Sequence, residues 1–245
     1  MEYKLRRDIC ELGRRMYEKN FVASNDGNIS IRLSDNTMLI TPSGVSKGYM
    51  QPEDMIVTDF AGNVLRGDKK PSSEMKMHAA IYEKRPDVNS VVHAHPQKAT
   101  AFAVAGIELN KVTLPELVFS LGVISLAKYA TPTTDQLPLA VVDKIATMDA
   151  VLMANHGAVT VGKDVFDAYY KMETVEHFCA ISLYARLLGG EKALPESEIC
   201  KLYKIRREVF GKESPKCDGC GVCENEEELR ARITTIVKAI ISEKI

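Results

Sequence analysis

The sequence predicts a three-layer α/β or α+β domain, and three observations carry that expectation. Short apolar strand-like runs alternate with helical patterns along most of the chain, the order that builds a sheet covered by helices. No Pro/Gly/Ser-rich stretch divides the 245 residues into parts of different composition, so one domain over 1–211 with a C-terminal appendage over 212–245 suffices. Hydrophobic residues make up 45% and charged residues 27%, enough apolar surface for a core and unlike a disordered or fibrous chain. The 32 basic and 33 acidic side chains leave a formal charge of −1, which argues against a nucleic-acid binder that works through a basic field. Membrane insertion is not expected either, because no apolar run reaches about 18 residues. The first eight residues, Met1 to Asp8, lack the apolar core of a signal peptide, so the expected location is cytoplasmic.

Each element follows from its local pattern. Leu5, Ile9, Leu12 and Met16 put one apolar face on a helix over residues 2–20, which should pack on a sheet. Asn25-Asp26-Gly27-Asn28 is a turn, and the alternation in residues 29–33 suits a half-buried strand. A second strand over 38–40 runs into Thr41-Pro42-Ser43-Gly44, and a third over 55–59 is turned by Ala61-Gly62-Asn63. Residues 74–84 favour helix, with Ser72 or Ser73 as the cap and Pro86-Asp87 as the stop. Residues 88–95 read as a strand, after which Pro96 starts another helix. A buried strand over 150–154 leads to Asn155-His156-Gly157 and a partner strand over 158–161. Asp164 then caps a long helix to about residue 188, closed by Gly189-Gly190.

Chemistry concentrates in three of the five histidines. His93 and His95 are one residue apart on a strand, and because strand side chains repeat every two residues both imidazoles leave the same face. His156 follows the other strongly apolar strand and sits on its turn. Three neutral imidazoles with an open fourth position suit a catalytic zinc-type site, with manganese, cobalt or iron as other occupants. Taken alone, His-x-His is equally compatible with two ordinary hydrogen-bonded histidines. The neighbours shift the balance: Ser72-Ser73-Glu74 offers hydroxyls and amides at a helix start plus a carboxylate able to act as base or ligand. Gly27-Asn28 and Thr41-Pro42-Ser43-Gly44 add exposed backbone amides of the kind that cradle phosphate. His78 falls on the same helix face as Glu74, placed either to hydrogen-bond near the site or to pack on the sheet, and His177 is expected to be structural. Met75, Met77, Met148, Met153 and Met172 read as core or interface filling.

In order, Gly27-Asn28-Ile29-Ser30, Thr41-Pro42-Ser43-Gly44, Pro71-Ser72-Ser73-Glu74, His93-Ala94-His95-Pro96, Tyr129-Ala130-Thr131-Pro132 and Asn155-His156-Gly157 resemble the motifs of the class II aldolase/adducin family, over residues 1 to about 211. Within that family the resemblance is greatest to the L-fuculose-1-phosphate aldolases. It implies a three-layer α/β/α sandwich around a mainly antiparallel central sheet and a homotetramer with sites between subunits. It implies Zn²⁺, or another divalent transition metal, on His93, His95 and His156, and a sugar-phosphate substrate held by Asn28, Ser43, Gly44, Ser72 and Ser73. Glu74 matches the family's metal-adjacent base. The activity implied is a class II, metal-dependent aldehyde-lyase reaction. It would cleave a small ketose 1-phosphate, such as L-fuculose 1-phosphate or a deoxy-pentulose 1-phosphate, to dihydroxyacetone phosphate and a short aldehyde.

The sequence departs from that pattern at two tyrosines, whose places fall on Leu114 and Phe210. Glu116 is one helical step from the first and is the candidate to supply the proton they would handle, beside Glu74 as the catalytic pair. Glu116 also lies near where methylthioribulose-1-phosphate dehydratases of the same fold place a glutamate, which keeps a dehydratase as an alternative. A ribulose-5-phosphate 4-epimerase would be expected to show Asp at Glu74, and an adducin-like structural protein would not require the histidines. Beyond the resemblance, Cys217, Cys220 and Cys223 at intervals of three suggest a second metal site, completed by Cys200, a carboxylate or another subunit, or a redox-sensitive element. Free thiols are the plain alternative. After them Leu229, Ile233, Ile236, Val237, Ile240 and Ile241 form the apolar face of a helix.

Overall fold

The computed structural model describes residues 2–212 and Thr234. Cys217, Cys220, Cys223 and the apolar positions expected around 229–241 lie outside the described residues. Seven helices are described: α1 (Glu2–Glu18), α2 (Met75–Lys84), α3 (Gln97–Val104), α4 (Pro115–Ser120), α5 (Gln136–Ile145), α6 (Val165–Leu187) and α7 (Glu196–Phe210). The strands are β1 (Asn28–Ser34), β2 (Thr37–Ile40), β3 (Ile56–Asp59), β4 (Val64–Arg66), β5 (Ser90–Ala94), β6 (Ser125–Ala127), β7 (Ala150–Met153) and β8 (Gly157–Gly162). They form one sheet in the order β4-β3-β2-β1-β5-β8-β7-β6, in which only the β6–β7 pair is parallel.

Alternate residues of the central strands feed two cores, and this makes the chain a three-layer sandwich. Ile29, Ile31, Val92 and Ala94 pack with Ile9, Leu12 and Met16 of α1 and Ala168, Met172 and Val175 of α6. On the opposite face Val91, Val159 and Val161 pack with Met77 and Ile81 of α2 and Leu137, Val141 and Ile145 of α5. The apolar spacing in α1 is thus used as expected. β1, expected to be half-buried, has its first four residues buried on both sides, because it lies mid-sheet between β2 and β5 with helices above and below. The expected methionines are core residues: Met75, Met77, Met148, Met153 and Met172 are all buried.

Helix boundaries follow capping chemistry at α6, where the Asp164 carboxylate accepts from the Phe166 and Asp167 amides. At α2 the cap moves by one residue from the expected serines: Glu74 occupies the N-cap position, and the Ser72 hydroxyl accepts from the Glu74 amide at 3.3 Å. That shift turns the Glu74 side chain toward the sheet instead of leaving it on the first helical turn. Four elements were outside the expected set: β4, whose three residues are exposed, and α4, β6 and α5 between residues 115 and 145. α7 was also not expected; it lies against α4, with Phe210 stacked on Phe119 at 5.2 Å and the Arg206 guanidinium on the Val118 and Phe119 carbonyls. No helix among the described residues is long and apolar enough to cross a membrane.

Candidate metal centre and anion cleft

The central register sets the site. Asn28 on β1 pairs with His93 on β5, and His93 pairs with Val159 on β8, so Asn28 and His93 stand side by side on the α2 face of the sheet. His95 lies just past the end of β5, and its amide is held by the Phe21 carbonyl at 2.8 Å. His156 is presented by the β7–β8 turn, where Asn155 adopts a left-handed backbone (φ 57°), a conformation that asparagine tolerates. Gly157 follows because a Cβ there would meet the Ala94 carbonyl oxygen at 2.5 Å and the His95 ring at 2.6 Å. The Asn-His-Gly sequence is therefore what lets the third imidazole close on the other two.

The ring centroids of His93, His95 and His156 are 4.8 to 5.1 Å apart, and one potential ligand atom from each falls within 4.8 Å of the others. The tautomer of His93 is fixed, since its Nδ1 lies 2.9 Å from the Ala158 carbonyl oxygen and can only donate to it. Its Nε2 lone pair therefore faces the cluster, 3.1 Å from His95 Nε2. On the far side of that ring His95 Nδ1 lies 3.4 Å from Asp26 Oδ2. Imidazoles oriented from behind by a carbonyl and a carboxylate, with bare nitrogens converging, are the arrangement a transition-metal ligand set requires. Two nitrogens 3.1 Å apart repel unless a proton or a cation lies between them, so this donor set fits a divalent metal of the zinc type.

Glu74 sits against the cluster. Its Oε2 is 3.0 Å from His93 Nε2 and accepts a 2.9 Å hydrogen bond from Asn28 Nδ2, while Oε1 is 3.1 Å from His156 Nε2. Burial pushes the carboxyl pKa up, but the neighbouring His93 and His156 rings and the hydrogen bond from Asn28 pull it further down, so it is held as a carboxylate. For His93 burial acts downward and the Glu74 carboxylate outweighs it, leaving the net shift upward. His95 goes the other way: burial, followed by the charges of His93 and His156, pushes it down to about 4.

The five residues expected to bind phosphate meet in the same cleft. Pro42 and Pro71 form an isolated bridge, and the Ser72 amide donates to the Thr41 carbonyl while the Ser43 amide donates to that of Lys70. These ties bring Ser43 and Gly44 beside Ser72 and Ser73. With Asn28, Glu74, His95 and His156 they line a polar cleft of about 210 Å³. Sequence reasoning missed three further lining residues, Asn25, Asp26 and Lys47. Lys47 is buried, donates to the Asn25 and Val45 carbonyls at 2.9 and 2.7 Å, and is pushed down to about 8 by burial. The Asp26 turn was visible as a turn only, and nothing local marked Lys47.

Glu116, the candidate proton donor, lies in this chain away from Glu74. Pro115 starts α4 there, and α4 packs against α7 and α6 and not on the strand ends, so Glu116 lines a separate groove of about 760 Å³ with Lys98, Glu176 and His177. This groove shares no lining residue with the histidine cleft. His177, expected to be structural, is exposed on its wall. His78 is fully buried and hydrogen-bonded to Asn28 and Ser30.

The family model described as "Class II Aldolase and Adducin N-terminal domain" matches residues 7–183. The chain belongs to the class II aldolase/adducin family. Class II aldolases are metal-dependent lyases, in keeping with the histidine cluster here. An L-fuculose phosphate aldolase of Methanococcus maripaludis is 36% identical over 71% of this chain and 92% of its own length. A 5-deoxy-D-ribulose 1-phosphate aldolase of Bacillus thuringiensis serovar kurstaki is 35% identical, covering 82% and 94%. A 3-oxo-tetronate 4-phosphate decarboxylase of Haemophilus influenzae is also 35% identical, covering 78% and 92%. Among solved structures, an L-fuculose 1-phosphate aldolase superposes with a TM-score of 0.77 at 28% identity, over 85% of this chain and 96% of that one. The α/β sandwich and its mostly antiparallel sheet are those of class II aldolases.

Proposed function

We propose that this protein is a zinc-dependent aldolase acting on a small ketose 1-phosphate, L-fuculose 1-phosphate or a related deoxy-pentulose 1-phosphate, and yielding dihydroxyacetone phosphate and a short aldehyde. The observation that carries this reading is Glu74: a carboxylate 3.0 and 3.1 Å from two imidazoles of the cluster, in the same cleft as Ser43, Gly44, Ser72 and Ser73. A divalent cation held by His93, His95 and His156 would supply a Lewis acid beside the substrate oxygens that gain negative charge. In the condensation direction Glu74 takes a proton from the hydroxymethyl carbon of dihydroxyacetone phosphate. The C–H electron pair stays on the substrate and spreads on to its carbonyl oxygen. In cleavage the C4 hydroxyl loses its proton, which reaches Glu74 through solvent; its O–H electron pair forms the aldehyde carbonyl as the C3–C4 pair passes to the dihydroxyacetone phosphate fragment, and the Glu74 carboxyl gives the proton to that carbon. The Ser43, Gly44, Ser72 and Ser73 loops and the Asn28 amide would hold the phosphoryl group away from the breaking bond, giving orientation and binding energy.

Support for the substrate class comes from the two aldolase relatives, which act on phosphorylated six- and five-carbon sugars by name. The aldehyde half is set by differences of one methyl or hydroxyl, worth about 1–3 kcal/mol in a pocket. The decarboxylase relative favours a second reading, loss of CO₂ from a 3-oxo acid phosphate through the same charge-stabilising cleft. We place the enzyme in the cytoplasm as a homotetramer with its sites completed between subunits. Incubation with dihydroxyacetone phosphate and a panel of short aldehydes, next to a 3-oxo-tetronate 4-phosphate control, tests the reading. Ketose 1-phosphate formation is expected, and CO₂ release without it would replace the aldolase by the decarboxylase.

A further inference from the structure

Behind Glu74, starting at Asn28, runs a line of buried polar side chains of which the reaction as written uses only Asn28. Asn28 Nδ2 donates to Glu74 Oε2 at 2.9 Å, Asn28 Oδ1 faces His78 Nε2 at 2.5 Å, and His78 Nδ1 faces Ser30 Oγ at 2.7 Å. Ser30 Oγ in turn lies 2.7 Å from the Tyr82 hydroxyl. Asn28, Ser30, His78 and Tyr82 are all buried, His78 and Ser30 completely.

Every proton in this line has one possible place. A flipped Asn28 amide would set its oxygen against the carboxylate, two acceptors 2.9 Å apart, so the NH₂ must face Glu74. Asn28 Oδ1 then only accepts, which puts the ring proton of His78 on Nε2. A neutral ring with Nε2–H has a bare Nδ1, so the Ser30 hydroxyl donates to it. Ser30 Oγ can then accept only from the Tyr82 hydroxyl. His78 stays neutral in this setting, because burial and the nearby charge of His93 push its pKa down to about 3. The far end is clamped as well: the Arg32 guanidinium covers the Tyr82 ring at 4.8 Å and donates to the carbonyls of Tyr82, Arg85 and Val88. The Asn28 donor is spent on Oε2 alone, while Oε1 faces only His156 Nε2, 3.1 Å away.

We propose that His78, in its Nε2–H form, is a positioning residue that locks the Asn28 amide and through it the Glu74 carboxylate, holding Oε2 as a permanent acceptor and leaving Oε1 as the working oxygen. The proposal rests on Glu74 being the base of the proposed function. Without the imidazole, the Asn28 amide loses the partner that fixes its orientation, and the carboxylate rotates among positions of which one is productive.

The test combines a tautomer measurement with kinetics. Nitrogen-15 NMR of the imidazoles in metal-free protein is expected to show His78 protonated at Nε2 and bare at Nδ1; an Nδ1–H signal overturns the proposal. In zinc-loaded protein, His78→Phe should slow hydrogen exchange into dihydroxyacetone phosphate by at least about 10-fold in kcat, with KM changed by less than about 3-fold and zinc retained. His78→Gln keeps a donor toward Asn28 Oδ1 and should recover most of that loss, which a mere packing role would not produce. Exchange by His78→Phe within about 2-fold of wild type sinks the proposal. Should His78→Phe fail to fold, Ser30→Ala, which leaves Nδ1 without its donor, should slow kcat by about 3- to 10-fold, and an unchanged rate sinks the proposal equally. Retained exchange in Glu74→Gln would instead fell the base reading, an outcome separable from both.

Discussion

Two clefts of this chain, the histidine cleft and the groove at Glu116, differ in the opposite sense to their size. The larger, at about 760 Å³, is walled by charged side chains that satisfy one another: Lys98 with Glu176 at 3.3 Å, and Lys19 with Glu173 at 3.7 Å. Glu176 spends its carboxylate on the Lys98 and Ala99 amides at the start of α3. In the smaller, at about 210 Å³, polar groups converge on one point and are oriented from behind, His93 by the Ala158 carbonyl, His95 by Asp26 and Glu74 by Asn28. The difference originates in the fold. Adjacent strands β1, β5 and β8 fix the histidine cleft to within a register position, whereas the groove is bounded by α4 and α6, where no register applies. Pre-organisation, and not volume, marks the place where chemistry is cheap.

Substitutions can break or sharpen that contrast. The largest effect is expected from His93→Ala, which should reduce bound zinc to below about 0.1 per chain and activity by at least about 10³-fold, as read by metal analysis and ketose cleavage. Glu74→Gln should keep the metal yet lower exchange into dihydroxyacetone phosphate by about 10³-fold; exchange at the wild-type rate removes Glu74 as base.

A pH prediction follows from the buried rings. His78 and His95 are pushed down to about 3 and 4, so in the folded protein they stay neutral while the unfolded chain takes up protons below about 6.5. Stability of metal-free protein should therefore be full above that pH and fall by a few kcal/mol as pH drops toward 3, with His93, shifted upward, acting in the opposite sense. Denaturant melts across the range check this, and His78→Phe should flatten the fall; an unchanged slope would mean that His78 is not held neutral. The smallest effect is expected at Glu116→Gln, within about 3-fold of wild-type kcat, whereas a loss of about 10²-fold would make the groove part of the active site and erase the contrast.

What could be read from the sequence follows the same division. Period-two spacing put His93 and His95 on one strand face, and the asparagine and glycine around His156 announced its turn, because both are local rules. Glu74 was identifiable, but its cap position was not, since the cap depends on Ser72 being drawn to the Thr41 carbonyl 31 residues away in sequence. His78 had the right spacing from Glu74, but its partner Asn28 is 50 residues distant. Leu137, Val141 and Ile145 carried a helical stripe that went unread, and β4 with three exposed residues and β6 with three residues in all offered no periodicity to read. Asp26 and Lys47 became site residues only when the two loops were brought together.

The most direct test is zinc content measured together with deuterium exchange into dihydroxyacetone phosphate, before chelation, after it, and after zinc is returned. The account predicts about one zinc per chain at the three histidines and exchange that disappears on chelation and returns with the metal. Bound metal without exchange, or exchange indifferent to the metal, would contradict it.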